Sequence, residues 1–408
     1  MKRACLALLA FLAAGLITAG QTFDLSKLTA TDTFTTGRGY GYDLGTAPNS
    51  EGKPFFFSVV VPEGNYRVTV TFGDATVASS NTVKAESRRL MVEHVATKPG
   101  EFVTRTFLVN VRNTSLPSPP KNAPGGSAVV LNDREEGSLT WDDKLTLEFE
   151  GSAPKPTSIV LVPYAGPTVF LAGDSTVCDQ RWEDGASWGQ MLPRFLENIA
   201  VANHAESGET LKSFLTGLRL AKVLSQLKAG DYLFIQFGHN DEKKQWPQTY
   251  AEARTTYSAY LRAFIAEARL RGATPVLVTS MQRRTFDEHG RIKNSHGDYP
   301  AAVREVAAAK KVALIDLERM SVALYEALGP ARALLAFANG GKDPTHHNNY
   351  GAYELGKCVV QGIRDAGLPL AQNISADFTG FDPAKPDDPA TFALPASPLR
   401  SNLTPRGN

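Results

Sequence analysis

Residues 55–74, "FFFSVVVPEGNYRVTVTFGD", hold two runs of β-branched and aromatic residues separated by "PEGN". Apolar positions in such runs, broken by Pro, Gly and Asn, predict two strands joined as a hairpin. "RRLMVEHVAT" (88–97), "EFVTRTFLVNV" (101–111), "SLTWDDKLTLEFEG" (138–151) and "SIVLVPY" (158–164) repeat the pattern at short spacing. Short strands without a helical period predict an all-β sandwich over residues 21–164. "LPSPPKNAPGG" (116–126) reads as a surface loop inside it, because strands resume afterwards.

From residue 165 the pattern changes. "TVFLAG" (168–173), "IAVANHA" (199–205), "DYLFIQFGHND" (231–241), "ATPVLVTS" (273–280) and "VALIDL" (312–317) are continuous apolar runs. Helical stretches separate them: "SWGQMLPRFLENI", "TLKSFLTGLRLAKVLSQLKAG", residues 248–271 and "YPAAVREVAAAKK". Apolar strands alternating with helices predict a doubly wound α/β domain with a five-stranded parallel sheet over residues 165–375. Functional groups in such sheets gather at the carboxyl ends of the strands. Residues 376–408 are Pro-rich and aperiodic, the pattern of a poorly ordered tail.

The chain has 408 residues, 42% of them hydrophobic, which is ample for two or three cores. Lys and Arg total 43 against 42 for Asp and Glu, so no global charge attracts nucleic acid or an anionic membrane. The start, "MKRACLALLAFLAAGLITAG", has Lys2 and Arg3, an apolar run and small residues near Ala19 and Gly20. That is the pattern of a signal peptide over residues 1–20, and it implies export to the periplasm or the medium. Cys5 would leave with it. Cys178 and Cys358 then either pair or stay as buried thiols, and no C-x-x-C pair suggests zinc.

Polar clusters stand at the ends of the predicted strands. "AGDST" places Ser175 at a strand-to-helix turn, near a helix N-terminus or as its cap. "NHAESGET" places Gly208 where a backbone N–H can come close to a ligand, or in a plain turn. "FGHND" supplies the Asn240 amide, or an Asx turn. "KDPTHHNNYGA" sets Asp343 three residues before His346, with His347 beside it.

In this order and spacing the chain resembles the SGNH (GDSL-type) hydrolase superfamily, whose four signature residues are matched by Ser175, Gly208, Asn240 and His346. Thr176 departs from the leucine in the superfamily's usual name. "GDSTVCD", "SWGQML", "RRTFDEHGRIKNSHGDYPAAVREVA" and "DPTHHNNYGAYELGK" look like rhamnogalacturonan acetylesterases and their bacterial relatives. The resemblance implies a flavodoxin-like sheet preceded by a galactose-binding-type sandwich that could bind carbohydrate. It implies a catalytic triad of Ser175, Asp343 and His346, with the Ser175 and Gly208 N–H groups and the Asn240 amide as oxyanion hole. No metal or other cofactor is needed, because the triad accounts for Asp343 and His346 where a metal site would want further ligands. His347 is left as a flanking residue, at the surface or supporting the site.

The resemblance also implies an acetylated plant cell-wall polysaccharide or oligosaccharide as partner, with no nucleic acid and no membrane. In "MQRRTF", Arg283 and Arg284 either grip uronic-acid carboxylates or form a solvated basic loop. Trp188 either stacks on a sugar ring or belongs to the core. Other readings are an esterase for another acylated glycan such as xylan, for short acyl esters, or a glycan-binding protein whose hydrolase domain is silent.

Overall fold

The structure is a computed structural model that describes residues 20–49 and 51–401, so the leader expected at residues 1–20 lies, apart from Gly20, outside the described residues. The strands of the first half are β1 (Gln21–Asp24), β2 (Tyr40–Asp43), β3 (Phe55–Val60), β4 (Gly64–Gly73), β5 (Ser79–Ala85), β6 (Arg89–Thr97), β7 (Phe102–Val111), β8 (Lys144–Glu150) and β9 (Pro156–Pro163). They form two antiparallel sheets, in the orders β1-β9-β4-β7 and β2-β3-β8-β5-β6. Alternate residues from both sheets, among them Phe57, Val68, Val70, Phe149 and Ile159, meet in one buried core.

The expected hairpin over residues 55–74 does not form. β3 pairs with β2 and β8, while β4 pairs with β7 and β9, so "PEGN" carries the chain from one sheet to the other. Alternate positions of both strands, Phe55, Phe57 and Val59 on β3 and Tyr66, Val68, Val70 and Phe72 on β4, enter the same core from opposite sides. Alternation specifies an inward face but not which strand lies alongside.

The second half holds β10 (Thr168–Gly173), β11 (Ala200–Asn203), β12 (Tyr232–Gln236), β13 (Thr274–Val278) and β14 (Ala313–Ile315). All pair in parallel, in the order β11-β10-β12-β13-β14. This is the flavodoxin-like order, with its switch point beyond the carboxyl ends of β10 and β12. The helices are α1 (Trp188–Met191), α2 (Leu211–Thr216), α3 (Arg219–Gln226), α4 (Ser258–Leu270), α5 (Tyr299–Lys310), α6 (Leu317–Ala333) and α7 (Asn349–Asp365). Val169, Leu171, Phe234 and Val276 pack on one side with α1, α6 and α7. Phe170, Ala172, Leu233 and Ile235 pack on the other with α2 to α5. Both faces are covered, which is why these strands read as unbroken apolar runs.

Two helical stretches are shorter than their periodicity suggests. α1 tightens into a 3-10 turn at Leu192–Phe195, where Pro193 has no N–H for the carbonyl four residues back. The stretch 210–230 splits at Gly217 and Leu218, the latter with φ +62°.

Residues 376–401, expected to be poorly ordered, instead pack along the body. Phe378 is buried in the core, and the Phe392 ring lies 5.5 Å from that of Tyr350 and 5.3 Å from that of Tyr353. Tyr350 Oη donates to the Asp387 carbonyl at 2.6 Å. Isolated aromatics among prolines dock one at a time, so the segment has no period, and proline lowers the entropy lost on ordering it. Residues 402–408 lie outside the described residues.

Polar side chains on the outer face of the β2-β3-β8-β5-β6 sheet, among them Lys84, Thr146, Glu148 and Glu150, are buried. Lys84 on β5, 1% exposed, pairs with Glu150 at 2.8 Å and donates to the Pro395 carbonyl at 2.8 Å. Arg89 on β6 pairs with Asp179 of the parallel-sheet half at 3.1 Å. The two halves therefore join through buried charge.

Candidate active site

β10 ends at Gly173, where a Cβ would lie 2.6 Å from Val177 Cγ2 and 2.9 Å from the Gln236 carbonyl oxygen, so the turn that follows needs glycine. Asp174 then closes the turn. Its Oδ1 accepts from Thr176 N at 2.9 Å and Thr176 Oγ1 at 2.7 Å, and its carbonyl accepts from Val177 N and Cys178 N, each at 3.0 Å. The helix expected directly after Ser175 is absent: a turn follows, and α1 begins at Trp188. The Thr176 hydroxyl also accepts from Gln236 Nε2 at 2.7 Å, a bond that leucine could not make.

Ser175 Oγ lies 2.8 Å from His346 Nε2, and His346 Nδ1 lies 2.9 Å from Asp343 Oδ2. Asp343 Oδ1 accepts the backbone N–H groups of Thr345 at 2.8 Å and His346 at 2.9 Å, which fixes the carboxylate relative to the ring. Burial pushes the Asp343 pKa up, but the His346 ring and these N–H groups outweigh it and hold the carboxyl well below its usual range. A hydroxyl, an imidazole and an ionised carboxylate thus form one hydrogen-bonded chain at the switch point.

Gly208 has φ +84°, a conformation that favours glycine, in the loop after β11. That loop is tied to the Ser175 turn by Glu206 N donating to the Gly173 carbonyl at 3.2 Å. Asn240 Nδ2 donates to the Glu209 carbonyl at 3.1 Å, and its Oδ1 accepts from Lys243 Nζ at 3.1 Å. These partners fix which end of the amide is which and leave the second N–H of the amide for a ligand. A cleft of about 190 Å³ is lined by Ser175, His239, Asn240, Lys243, Arg283, Thr345 and His346.

Other expected site residues lie elsewhere. Trp188 is fully buried and donates through Nε1 to Gln236 Oε1 at 2.8 Å, so it is core and offers no face to a sugar. Arg284 donates to the Gly341 carbonyl at 2.6 Å and sits over the Phe337 ring at 5.2 Å, and it does not line the cleft. Arg283 does line the cleft, with Nη1 paired to Glu242 at 2.7 Å. His347 is not at the surface: it is 1% exposed, and its Nε2 bonds Tyr325 Oη at 2.6 Å. Cys178 and Cys358 are both buried free thiols.

Residues 171–352 match the model of the GDSL-like lipase/acylhydrolase family. Rhamnogalacturonan acetylesterase RhgT of Bacillus subtilis is 41% identical over 220 residues, covering 93% of that protein and 50% of this chain. The chain belongs to the GDSL-like lipase/acylhydrolase family. It is a carboxylic ester hydrolase. Protein YxiM of Bacillus subtilis, named an uncharacterized esterase, is 29% identical over 318 residues, 76% of this chain and 75% of that one. The crystal structure of YxiM covers 83% of this chain and 94% of its own, with 26% identity and a TM-score of 0.48.

Three cleft residues of this GDSL-family hydrolase were not singled out from the sequence: His239, Lys243 and Thr345. Lys243 follows Asn240 by three positions, a spacing that brings side chains together in a turn, and this was the available signal. His239 carried no signal. Burial lowers its pKa to about 4, with Nδ1 3.4 Å from Asp174 Oδ2 and its ring against that of His296. At neutral pH it is an uncharged wall of the cleft. No described helix is long and apolar enough to cross a membrane.

Proposed function

We propose that this protein is an exported esterase that removes acetyl groups from a pectic polysaccharide of rhamnogalacturonan type, through an acetyl-Ser175 intermediate. The observation that carries the reading is the Ser175–His346–Asp343 chain of hydrogen bonds opening on a cleft lined by Lys243 and Arg283. Ser175 Oγ attacks the acetyl carbonyl carbon while His346 Nε2 takes the hydroxyl proton. Asp343 accepts from Nδ1–H, holds the productive tautomer and stabilises the imidazolium. The N–H groups of Ser175 and Gly208 and the Asn240 amide receive the oxyanion, a role in which one donor is worth about 10²–10³ in rate. Collapse breaks the bond to the sugar oxygen, which leaves with the proton from His346. Water, deprotonated by the same imidazole, then releases acetate and frees Ser175.

Two cations beside the nucleophile suit a backbone carrying uronic-acid carboxylates. The relative named rhamnogalacturonan acetylesterase supports both the acetyl ester and the pectic backbone. The leader pattern at residues 1–20 would bring the enzyme to a polymer that does not enter cells.

Acetate release from acetylated rhamnogalacturonan, acetylxylan and a short acetyl ester tests the reading. Wild type is expected to prefer the first and Ser175→Ala to release none. Equal release by wild type and Ser175→Ala would overturn the hydrolytic role of Ser175, and a preference for acetylxylan would overturn the substrate.

A further inference from the structure

The β5–β6 turn of the sandwich reaches the parallel-sheet half at the loop that follows Ser175. Glu86 and Arg88 there have φ of +55° and +62°, so the chain reverses tightly and Arg88 points inward, 1% exposed. Its guanidinium contacts two separate segments of the site. Nη1 donates to the carbonyls of Gln180 at 3.1 Å and Gly185 at 2.8 Å, in the loop that follows Ser175. Nη2 pairs with Glu183 Oε1 at 2.6 Å and donates to Asn349 Oδ1 at 3.1 Å, at the start of α7 and three residues after His346.

The contact passes on to the nucleophile. Gln180 Nε2 donates to the Ser175 carbonyl at 2.7 Å. Gln190 Nε2 bridges the carbonyls of Gln180 at 2.9 Å and Ser87 at 2.8 Å, a second link from the same sandwich turn. Ala186 N donates to the His347 carbonyl at 2.8 Å, so the serine's loop and the histidine's loop also touch directly.

We infer that Arg88 is a positioning residue which sets the Ser175–His346 separation, making the sandwich part of the catalytic unit. The planar fork suits this role because it meets carbonyls, a carboxylate and an amide from fixed directions, as an ammonium cannot. RhgT is matched over 93% of its length by half of this chain, which leaves no room for a counterpart of the sandwich. In this chain the support comes from the added half. The inference rests on the assignment of Ser175 as nucleophile, and its test keeps the two apart.

The test compares Arg88→Met and Arg88→Lys with Lys222→Met. Lys222 crosses the same boundary to Glu63 at 2.6 Å and the Ser115 carbonyl at 2.6 Å, without touching either catalytic segment. Steady-state hydrolysis of 4-nitrophenyl acetate, thermal unfolding and the rate of organophosphonate labelling at Ser175 are measured for each. Arg88→Met is expected to lose kcat by about 10²-fold, as for misplacement of a reacting group by about 1 Å, with KM within about twofold. Labelling should slow by the same factor, and added guanidinium ion should restore part of both. Arg88→Lys should show the same split and carries the test if Arg88→Met does not fold. Full kcat in a folded Arg88 variant, or a loss no larger than that of Lys222→Met at equal melting temperature, would overturn the inference. An unlabelled Ser175 in wild type would instead remove the nucleophile assignment, and this inference with it.

Discussion

His346 and His347 are neighbours in the chain and face opposite ways. The first bonds Ser175 at the cleft and the second bonds Tyr325 in the core, with its ring 4.4 Å from that of Phe337. Burial lowers the His347 pKa to about 3, so it stays neutral there. His346→Gln is expected to keep its melting temperature and lose kcat by on the order of 10³-fold or more. His347→Gln should keep most of its kcat and lose about 1–3 kcal/mol of stability, from a buried polar contact broken. Paired kinetics and denaturant titrations check this, and the reverse pattern would exchange the two roles.

Lys243 and Arg283 line the same cleft but bond differently. Lys243 Nζ orients the Asn240 amide, whereas Arg283 Nη1 is held by Glu242. Lys243→Met should therefore lower kcat on every acetyl ester, by roughly 10-fold through a mis-set oxyanion donor. Arg283→Met should raise KM for acetylated rhamnogalacturonan and leave KM for 4-nitrophenyl acetate unchanged. Its effect should shrink with added salt, since part of the attraction is screened. A KM change of equal size on the neutral ester would count against carboxylate recognition.

Asp241 is fully buried. Its Oδ1 accepts from Leu211 N at 2.9 Å, while Oδ2 has no hydrogen-bond partner among the described residues. Burial pushes its pKa from the ordinary 3.8 up to about 8, so the folded protein keeps a proton that the unfolded chain releases. Between those values the native state binds more protons, and stability falls as pH rises, by on the order of 1 kcal/mol per pH unit within that window. Asp241→Asn removes this titration and keeps the acceptor for Leu211. Its melting temperature relative to wild type is expected to climb from pH 5 to pH 9; a constant difference would show that Asp241 is ionised in the fold.

The tail supports both halves. Lys84 donates to the Pro395 carbonyl, Ser397 N donates to Glu183 at 3.0 Å, and Phe392 covers Tyr350 and Tyr353. Deleting residues 383–408 leaves a buried ammonium and a carboxylate each short of a partner. A loss of roughly 2–4 kcal/mol is expected. An unchanged unfolding midpoint in urea would mean that the tail contributes nothing.

What was legible in the sequence is what local pattern encodes. The parallel strands were, because burial on both faces leaves unbroken apolar runs such as "TVFLAG" and "YLFIQ". The meeting of Ser175, Asp343 and His346 was, because their order and spacing match the family pattern. Partnership between distant segments was not. The strands flanking "PEGN" gave no sign that they belong to different sheets. Arg284 stands beside a cleft residue in the chain, yet it bonds the Gly341 carbonyl, and Trp188 bonds Gln236 in the core. Nothing in the local pattern marks the polar side chains of β5 and β8 as buried, yet Lys84, Glu148 and Glu150 all are. Adjacency along the chain is a poor guide to what a side chain touches.

The Lys84–Pro395 contact spans 311 positions of the chain. During synthesis the sandwich leaves the ribosome long before residue 395, so the Lys84 ammonium stays in water until that segment arrives. Closure over Lys84 is then a late event of high contact order. A nascent chain that stalls short of residue 395 holds Ser175, Asp343 and His346 and still lacks the carbonyl that Lys84 meets.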